Sequence, residues 1–149
     1  MFVIRRFRSE DLPQVIALVE MVFRERYEVP MYMDLFTSWP DGFRVVDYAG
    51  SVVAFLLGMV SGPRQARVLL LAVHPQFRGH GLGSRLLWEF MQGAAALPAD
   101  SITLEVRVSN QRAVEFYQRM GFSIAGLIPT YYKDGENAHL MTKPLGAGS

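Results

Sequence analysis

The chain has 149 residues, half of them hydrophobic and 19% charged, with no cysteine and a formal net charge of +1. That is enough for one sizeable globular core. It excludes a disulfide scaffold, a thiolate metal site and a cysteine nucleophile, and the near-neutral balance argues against a large nucleic-acid footprint.

The opening "MFVIRRFRSED" is too charged to read as a signal peptide, and no stretch approaches the roughly 20 apolar residues of a membrane span. The expectation is a soluble, cytoplasmic protein. "FVIRRF" (2–7) reads as a first strand. Ser9 or Asp11 can cap the helix after it, Pro13 suits its first turn, and Leu12, Val15, Ile16, Val19 and Phe23 recur at helical spacing. Residues 24–36 are aromatic and Met-rich, with Pro30 breaking them into an irregular loop and a short helix. "SWPDG" is a turn. "FRVVDY" and "VVAFLLGMV" form a hairpin about Ala49-Gly50-Ser51, and "SGPRQA" reverses the chain again into "RVLLLAV" (67–73). The unbroken apolar run of that third strand suggests a central position.

Leu82, Leu86, Leu87, Phe90 and Met91 make the stripe of a helix ending near Pro98. "SITLEVRVS" (101–109) alternates strictly, with Ile102, Leu104, Val106 and Val108 on one face and Thr103, Glu105 and Arg107 on the other. Asn110 can cap the next helix, striped by Ala113, Phe116, Tyr117 and Met120 and stopped by Gly121. "FSIAGLI" and "NAHLMTKPL" are the closing strands. The order β-α-loop-β-β-β-α-β-α-β-β predicts an α/β (α+β) fold, a mixed sheet with helices on both faces. Residues 1–145 are expected to form a single domain, with "GAGS" (146–149) a frayed tail.

The densest signal is "FRGHGLGSRLL" (77–87), a glycine-rich turn between a buried strand and a helix. It lacks the Gly-Lys-Ser/Thr of a Walker A loop and the spacing of the dinucleotide fingerprint. The physics is shared with both. Glycines let a ligand approach the backbone, and free N–H groups at a helix start attract phosphate oxygens. Arg78 adds a cation. The plain alternative is a tight turn with no ligand.

"VHPQFRGHGLGSRLL" resembles motif A of the GCN5-related N-acetyltransferases (GNAT), Arg/Gln-x-x-Gly-x-Gly/Ala, here Arg78, Gly81 and Gly83. "LEVRVSNQRAVEFYQRMGF" resembles the family's motif B at the usual separation. "LEVRVSN" and "YYKDGENAHLM" are most similar to the RimI-type ribosomal-protein alanine acetyltransferases and the archaeal protein N-terminal acetyltransferases. "VPMYMDLF" resembles that branch's substrate loop more loosely. The resemblance implies the GNAT fold, a mostly antiparallel sheet of about seven strands. It implies acetyl-CoA as cosubstrate, with no metal. The diphosphate would lie on Arg78, Gly79, His80, Gly81, Leu82, Gly83 and Ser84, and the pantetheine arm would pair with the backbone of Leu71, Ala72 and Val73. Asn110 and Tyr117 would also touch the cofactor. The acceptor would be a protein or peptide N-terminus, such as a ribosomal protein, bracketed by Tyr131 and Tyr132, with Val29 and Tyr32 as further substrate contacts. The enzyme would be a monomer or homodimer.

Acetyl transfer to an amine needs a neutral nucleophile, a donor for the oxyanion and a proton for the departing thiolate. Without cysteine, direct transfer in a ternary complex is the simplest scheme. Glu105 is the candidate base; its plain alternative is a strand carboxylate paired with Arg107. A weak base suits an α-amine, which at a pKa of ~8 is already about a tenth neutral at pH 7, whereas a lysine at ~10.4 is neutral only about 0.04% of the time. Tyr117 is the candidate acid, or a core tyrosine, and its ring can pack while its hydroxyl projects. Asn110 is otherwise a helix cap, and Tyr131 and Tyr132 otherwise strand-end aromatics. Three scattered histidines without metal-ligand spacing make a metal centre unattractive. Two rivals remain open: a small-amine acetyltransferase for polyamine-like or aminoglycoside substrates, and a non-catalytic acyl-CoA-binding module.

Overall fold

A computed structural model describes residues 1–146; of the expected tail, residues 147–149 lie outside the described residues. The strands are β1 (Phe2–Arg6), β2 (Phe43–Tyr48), β3 (Ser51–Gly62), β4 (Gln65–Val73), β5 (Ser101–Arg107), β6 (Ser123–Ile128) and β7 (Ala138–Pro144). The helices are α1 (Leu12–Phe23), α2 (Val29–Ser38), α3 (Leu82–Ala96) and α4 (Gln111–Arg119). One seven-stranded sheet runs β1-β2-β3-β4-β5-β7-β6. Every pairing is antiparallel except β4 with β5. The run "RVLLLAV" does lie at the centre, as the fourth strand of seven.

Two hydrophobic cores flank this sheet. On one face Leu82, Leu86, Leu87, Phe90 and Met91 of α3 and Val114 and Tyr117 of α4 pack on Val46, Val53, Leu56, Ile102, Leu104 and Val106. On the other, Val15, Leu18 and Val19 of α1 and Tyr32 of α2 pack on Val45, Phe55, Leu57, Leu70 and Ala72. The stripe expected for α4 omits Val114, which is buried, while Ala113, Phe116 and Met120 sit at its margin.

Local chemistry departs from expectation at two helix starts. Pro30 opens α2 instead of breaking the segment, because proline's missing N–H costs nothing in a first turn. Asp11 occupies the N-cap position of α1 without capping it. Its carboxylate accepts two hydrogen bonds from Arg5, at 2.8 and 2.9 Å, and one from the Arg8 amide at 2.8 Å.

The feature that shapes the site is a break between β4 and β5. They pair only at Gln65↔Ser101, Ala66↔Ile102 and Arg67↔Thr103, although β4 runs on to Val73 and β5 to Arg107. The cause lies in the pairing with β3. Leu57 faces Leu70 and Gly58 faces Val68, so Leu69 is an extra residue in β4. Such a bulge bends its strand. It also reverses the alternation: Ala66 and Val68 face α3, but beyond the bulge Leu70 and Ala72 face α1 and Leu71 and Val73 turn to the α3 side. Beyond Arg67, the β5-facing edge of β4 is left without a partner strand.

Candidate active site

A cleft of about 490 Å³ opens at the diverging strands, mostly from the α3–α4 face, with Val22 and Phe23 at the end of α1 also lining it. Leu71 and Val73 form its floor. The turn residues Phe77, Arg78, Gly79 and Gly81 and the first residues of α3, Leu82, Gly83 and Ser84, line one wall, and Asn110, Arg112, Phe116, Tyr117 and Arg119 of α4 line the other. Gly79 and Gly81 hold φ of 87° and 72°, conformations that favour glycine. Gly81 is the N-cap of α3, and no side chain caps that helix. The first N–H groups of α3 are therefore left to a ligand or to water. A Cβ at Gly83 would make an ordinary contact with the Phe116 ring, at 3.4 Å.

Ala72 and His80 are expected to meet the cofactor through their backbones, and Asn110 through its side chain or as a helix cap. Ala72 is 2% exposed and its side chain lies in the opposite core, a direct result of the Leu69 bulge, so only its backbone borders the gap. The ring of His80 lies 5.3 Å from that of Phe2 and does not line the cleft. The Asn110 side chain accepts a hydrogen bond from the Ala113 amide, so it caps α4 as well as bordering the cleft. His74 accepts from the Gln76 amide and shapes the turn.

The Tyr117 ring packs edge-on against Phe116 and Phe122. Burial, with a smaller contribution from Tyr132, raises its phenol above the ordinary tyrosine value, so it keeps its proton at neutral and mildly alkaline pH.

Glu105 lies on the other face of the sheet, across the gap. Its partner is Arg67, not the Arg107 expected from spacing. Arg67 Nε and Nη2 stand 2.9 and 2.8 Å from Glu105 Oε1, and Nη2 also donates to the Tyr131 hydroxyl at 2.8 Å. Arg107 instead donates to Asp134 at 2.8 Å and Glu136 at 2.9 Å, lies 3.5 Å from Glu25 and stacks 4.0 Å above the Tyr132 ring. Tyr131 and Tyr132 meet edge to face, with centroids 5.0 Å apart. Burial and the neighbouring Tyr131 push the Tyr132 phenol up to about 12 against the pull of Arg107. The Tyr27 hydroxyl donates to Glu25 at 2.6 Å and is raised by burial and by that carboxylate.

Of the two weaker substrate candidates, Val29 is exposed at the start of α2, and Tyr32, 1% exposed, belongs to the α1–α2 core. Glu25, Tyr27 and Arg67 were not singled out in the sequence, and Arg107 entered only as a partner for Glu105. For Arg67 a signal existed, as an arginine at the head of an apolar central strand. For Glu25 and Tyr27 there was none beyond their place in an irregular loop.

A gap between two strands thus has a glycine-turn cleft on one face of the sheet and a carboxylate among tyrosines on the other. Comparison with known proteins identifies the family. The family model described as "Acetyltransferase (GNAT) family" matches residues 12–122. Ard1 from Thermoplasma volcanium superposes with a TM-score of 0.93 at 36% identity, over 98% of this chain and 99% of that one. An N-acetyltransferase of Methanocaldococcus jannaschii is 36% identical over 95% of this chain and 90% of its own length. An N-alpha-acetyltransferase of Sulfurisphaera tokodaii is 29% identical over 95% of this chain and 92% of its own. The chain belongs to the GNAT acetyltransferase family. Within it, this is an N-acetyltransferase using acetyl-CoA, with the fold of the protein N-terminal acetyltransferases.

Proposed function

We propose that the chain, acting as one domain over residues 1–145, moves the acetyl group of acetyl-CoA directly to the α-amine of a protein or peptide N-terminus. The observation that carries this reading is the parting of β4 from β5 after Arg67↔Thr103, with the glycine-turn cleft on one side of the gap and the Glu105–Arg67–Tyr131 cluster on the other. Only an extended donor that reaches through that gap, and an acceptor that enters from the other face, use both sides at once. The relative from Sulfurisphaera tokodaii bears the name N-alpha-acetyltransferase, which supports an α-amine acceptor.

In this reading the CoA diphosphate rests on the amides of 79–84 with Arg78, and the pantetheine arm adds to the free edge of β4 at Leu71–Val73. That edge also supplies the backbone donors nearest a developing oxyanion. Glu105 takes a proton from the incoming amine, directly or through water, while Arg67 and Tyr131 fix its position. The amine nitrogen bonds to the acetyl carbon, the carbon–sulfur bond breaks with its electron pair going to sulfur beside Tyr117, and the second proton lost by the nitrogen as the amide forms passes through the Tyr117 hydroxyl or water to that sulfur. The products are the acetylated amine and CoA thiol. Burial raises Tyr117 above an ordinary thiol of ~8.5, so the phenol acts first as a hydrogen-bond donor to the thiolate. Tyr27, Tyr131 and Tyr132 enclose the acceptor backbone, with Val29 at the rim. Tyr32 supports the α2 wall from the core. A ribosomal protein in the cytoplasm is an acceptor of the right kind, met by a monomer or homodimer of the enzyme.

The test is turnover with acetyl-CoA on peptides varied in their first two residues, beside spermidine and an internal-lysine peptide. Acetylation of free α-amines with kcat/KM at least about a hundredfold above the other amines is expected. Preference for spermidine would move the enzyme to the small-amine class, and no turnover on any amine would leave a binding module.

A further inference from the structure

Arg67 stands at the vertex of the gap. It is the last residue of β4 to pair with β5, opposite Thr103, and its side chain reaches Glu105 and Tyr131 on the acceptor side. Two of its nitrogens share one carboxylate oxygen, with Nε at 2.9 Å and Nη2 at 2.8 Å from Glu105 Oε1. Nη2 also donates to the Tyr131 hydroxyl at 2.8 Å. The guanidinium is thus pinned along its Nε–Nη2 edge. Among the described residues, no hydrogen bond or ion pair engages Nη1 of Arg67 or Oε2 of Glu105. Neither side chain is sealed off, since 25% of Arg67 and 13% of Glu105 remain exposed. Arg107, the other arginine among these tyrosines, has no such surplus. Its Nη1 serves Asp134 and Glu136, its Nη2 faces Glu25, and its plane lies over the Tyr132 ring.

A free carboxylate oxygen therefore stands beside a free donor of fixed positive charge. We infer that Arg67 reads the carbonyl of the acceptor's first residue: with the amine at Glu105 Oε2, Nη1 donates to the oxygen of the first peptide bond. The recognised unit is then an α-aminoacyl group and not an amine alone. The inference rests on the acceptor side proposed above and assigns its selectivity to one residue. In a peptide N-terminus the carbonyl carbon is bonded to the carbon that bears the amine, so nitrogen and oxygen can meet two adjacent side chains together. Spermidine has no carbonyl, and in an internal lysine the nearest one lies a whole side chain away from the ε-amine. A hydrogen bond from a charged donor is stronger than a neutral one. Because Glu105 and Tyr131 already hold the guanidinium, little ordering remains to be done when the peptide arrives. Holding the acceptor at two points also orients its nitrogen.

The probes are an alanyl peptide and its analogue in which an (E)-alkene replaces the first peptide bond, removing the carbonyl while keeping the shape of the chain. Values of kcat/KM with acetyl-CoA are measured for both on the wild type, Arg67→Met and Arg67→Lys, corrected for the neutral fraction of each amine. The wild type is expected to favour the peptide at least about thirtyfold. Arg67→Met slows both substrates by freeing Glu105, and it lowers the preference for the peptide at least about tenfold, the scale of one hydrogen bond to a charged group. A lysine can still pair with Glu105 but has no second arm. Arg67→Lys therefore restores part of the rate on the alkene analogue while the preference stays low, a split that a merely structural arginine would not give. CoA affinity by calorimetry stays within about twofold in both variants, which shows that each is folded. Should Arg67→Met lose CoA binding, Arg67→Lys and the wild-type ratio decide. A wild type that turns over the alkene analogue as well as the peptide overturns the inference without any variant. So does a wild-type preference that survives in a folded variant. A wild type that acetylates spermidine and not the peptide defeats the α-amine reading itself, and this contact with it.

Discussion

Two single residues carry separable parts of the chemistry. Tyr117 is locked by Phe116 and Phe122, so Tyr117→Phe removes the hydroxyl and little else. Steady-state kinetics should show kcat lowered about a hundredfold, near the low end for a positioned proton donor, with acetyl-CoA affinity nearly unchanged. An unaltered kcat would remove Tyr117 from the reaction. Because burial raises its phenol, the wild type should also show no loss of kcat from this residue as pH rises to about 10. Gly81 is a backbone argument. Its φ of 72° strains any β-branched residue, although the space around it is open. Gly81→Val should abolish measurable CoA binding in calorimetry by misplacing the start of α3; retained affinity would show that these amides are not the diphosphate site.

Among elements, the loops on the acceptor side are joined through one side chain. Arg107 of β5 reaches Glu25 between α1 and α2, and Asp134 and Glu136 between β6 and β7. Glu136 also accepts from the Ser109 amide at 2.8 Å, which ties the start of α4 to the same hub. Arg107→Ala should raise KM for the peptide roughly tenfold while KM for acetyl-CoA stays within about twofold, because the donor cleft lies on the other face of the sheet. A parallel rise in both would mean that Arg107 supports the fold and not the acceptor walls. The elements themselves were largely legible in the sequence: strict alternation marked β5, the i, i+4 stripe marked α3, and Gly121 stopped α4. The bulge at Leu69 was not, for a physical reason. In "RVLLLAV" every position near the bulge is apolar, so a shift of one residue changes no hydrophobic pattern. That one residue turns the Ala72 side chain into the opposite core. The Arg67–Glu105 pair escaped notice for a related reason, since the two lie 38 positions apart and meet only through the parallel pairing of β4 with β5. Spacing within a strand pointed instead to Arg107.

Over the whole molecule, two cores grip one sheet, and the proposed donor and acceptor sides meet at the gap between β4 and β5. Stability should share that dependence on a few buried polar contacts. Asp11 is 5% exposed and joins β1 to the start of α1. Burial alone would raise its carboxyl, but hydrogen bonds from Arg5 and the Arg8 amide, together with the Arg5 charge, outweigh burial and hold it below the usual value. A depressed carboxylate stabilises the fold above its unfolded pKa of ~3.9, and the contribution is lost as pH falls through the lower folded value. Asp11→Asn should therefore cost about 1–3 kcal/mol at pH 7 by urea unfolding, and the difference from wild type should shrink below about pH 4. A difference that stays constant with pH would make the cost one of packing. What the whole assembly depends on is that one ligand threads the gap between β4 and β5. The direct measurement is a crystal structure with a stable CoA–peptide conjugate. The account predicts diphosphate oxygens about 2.7–3.2 Å from the amides of 79–84, the pantetheine arm paired with β4 beyond Arg67, and the peptide amine between Glu105 and the Tyr131–Tyr132 pair. A conjugate lying entirely on one face of the sheet, with the gap empty, would contradict it.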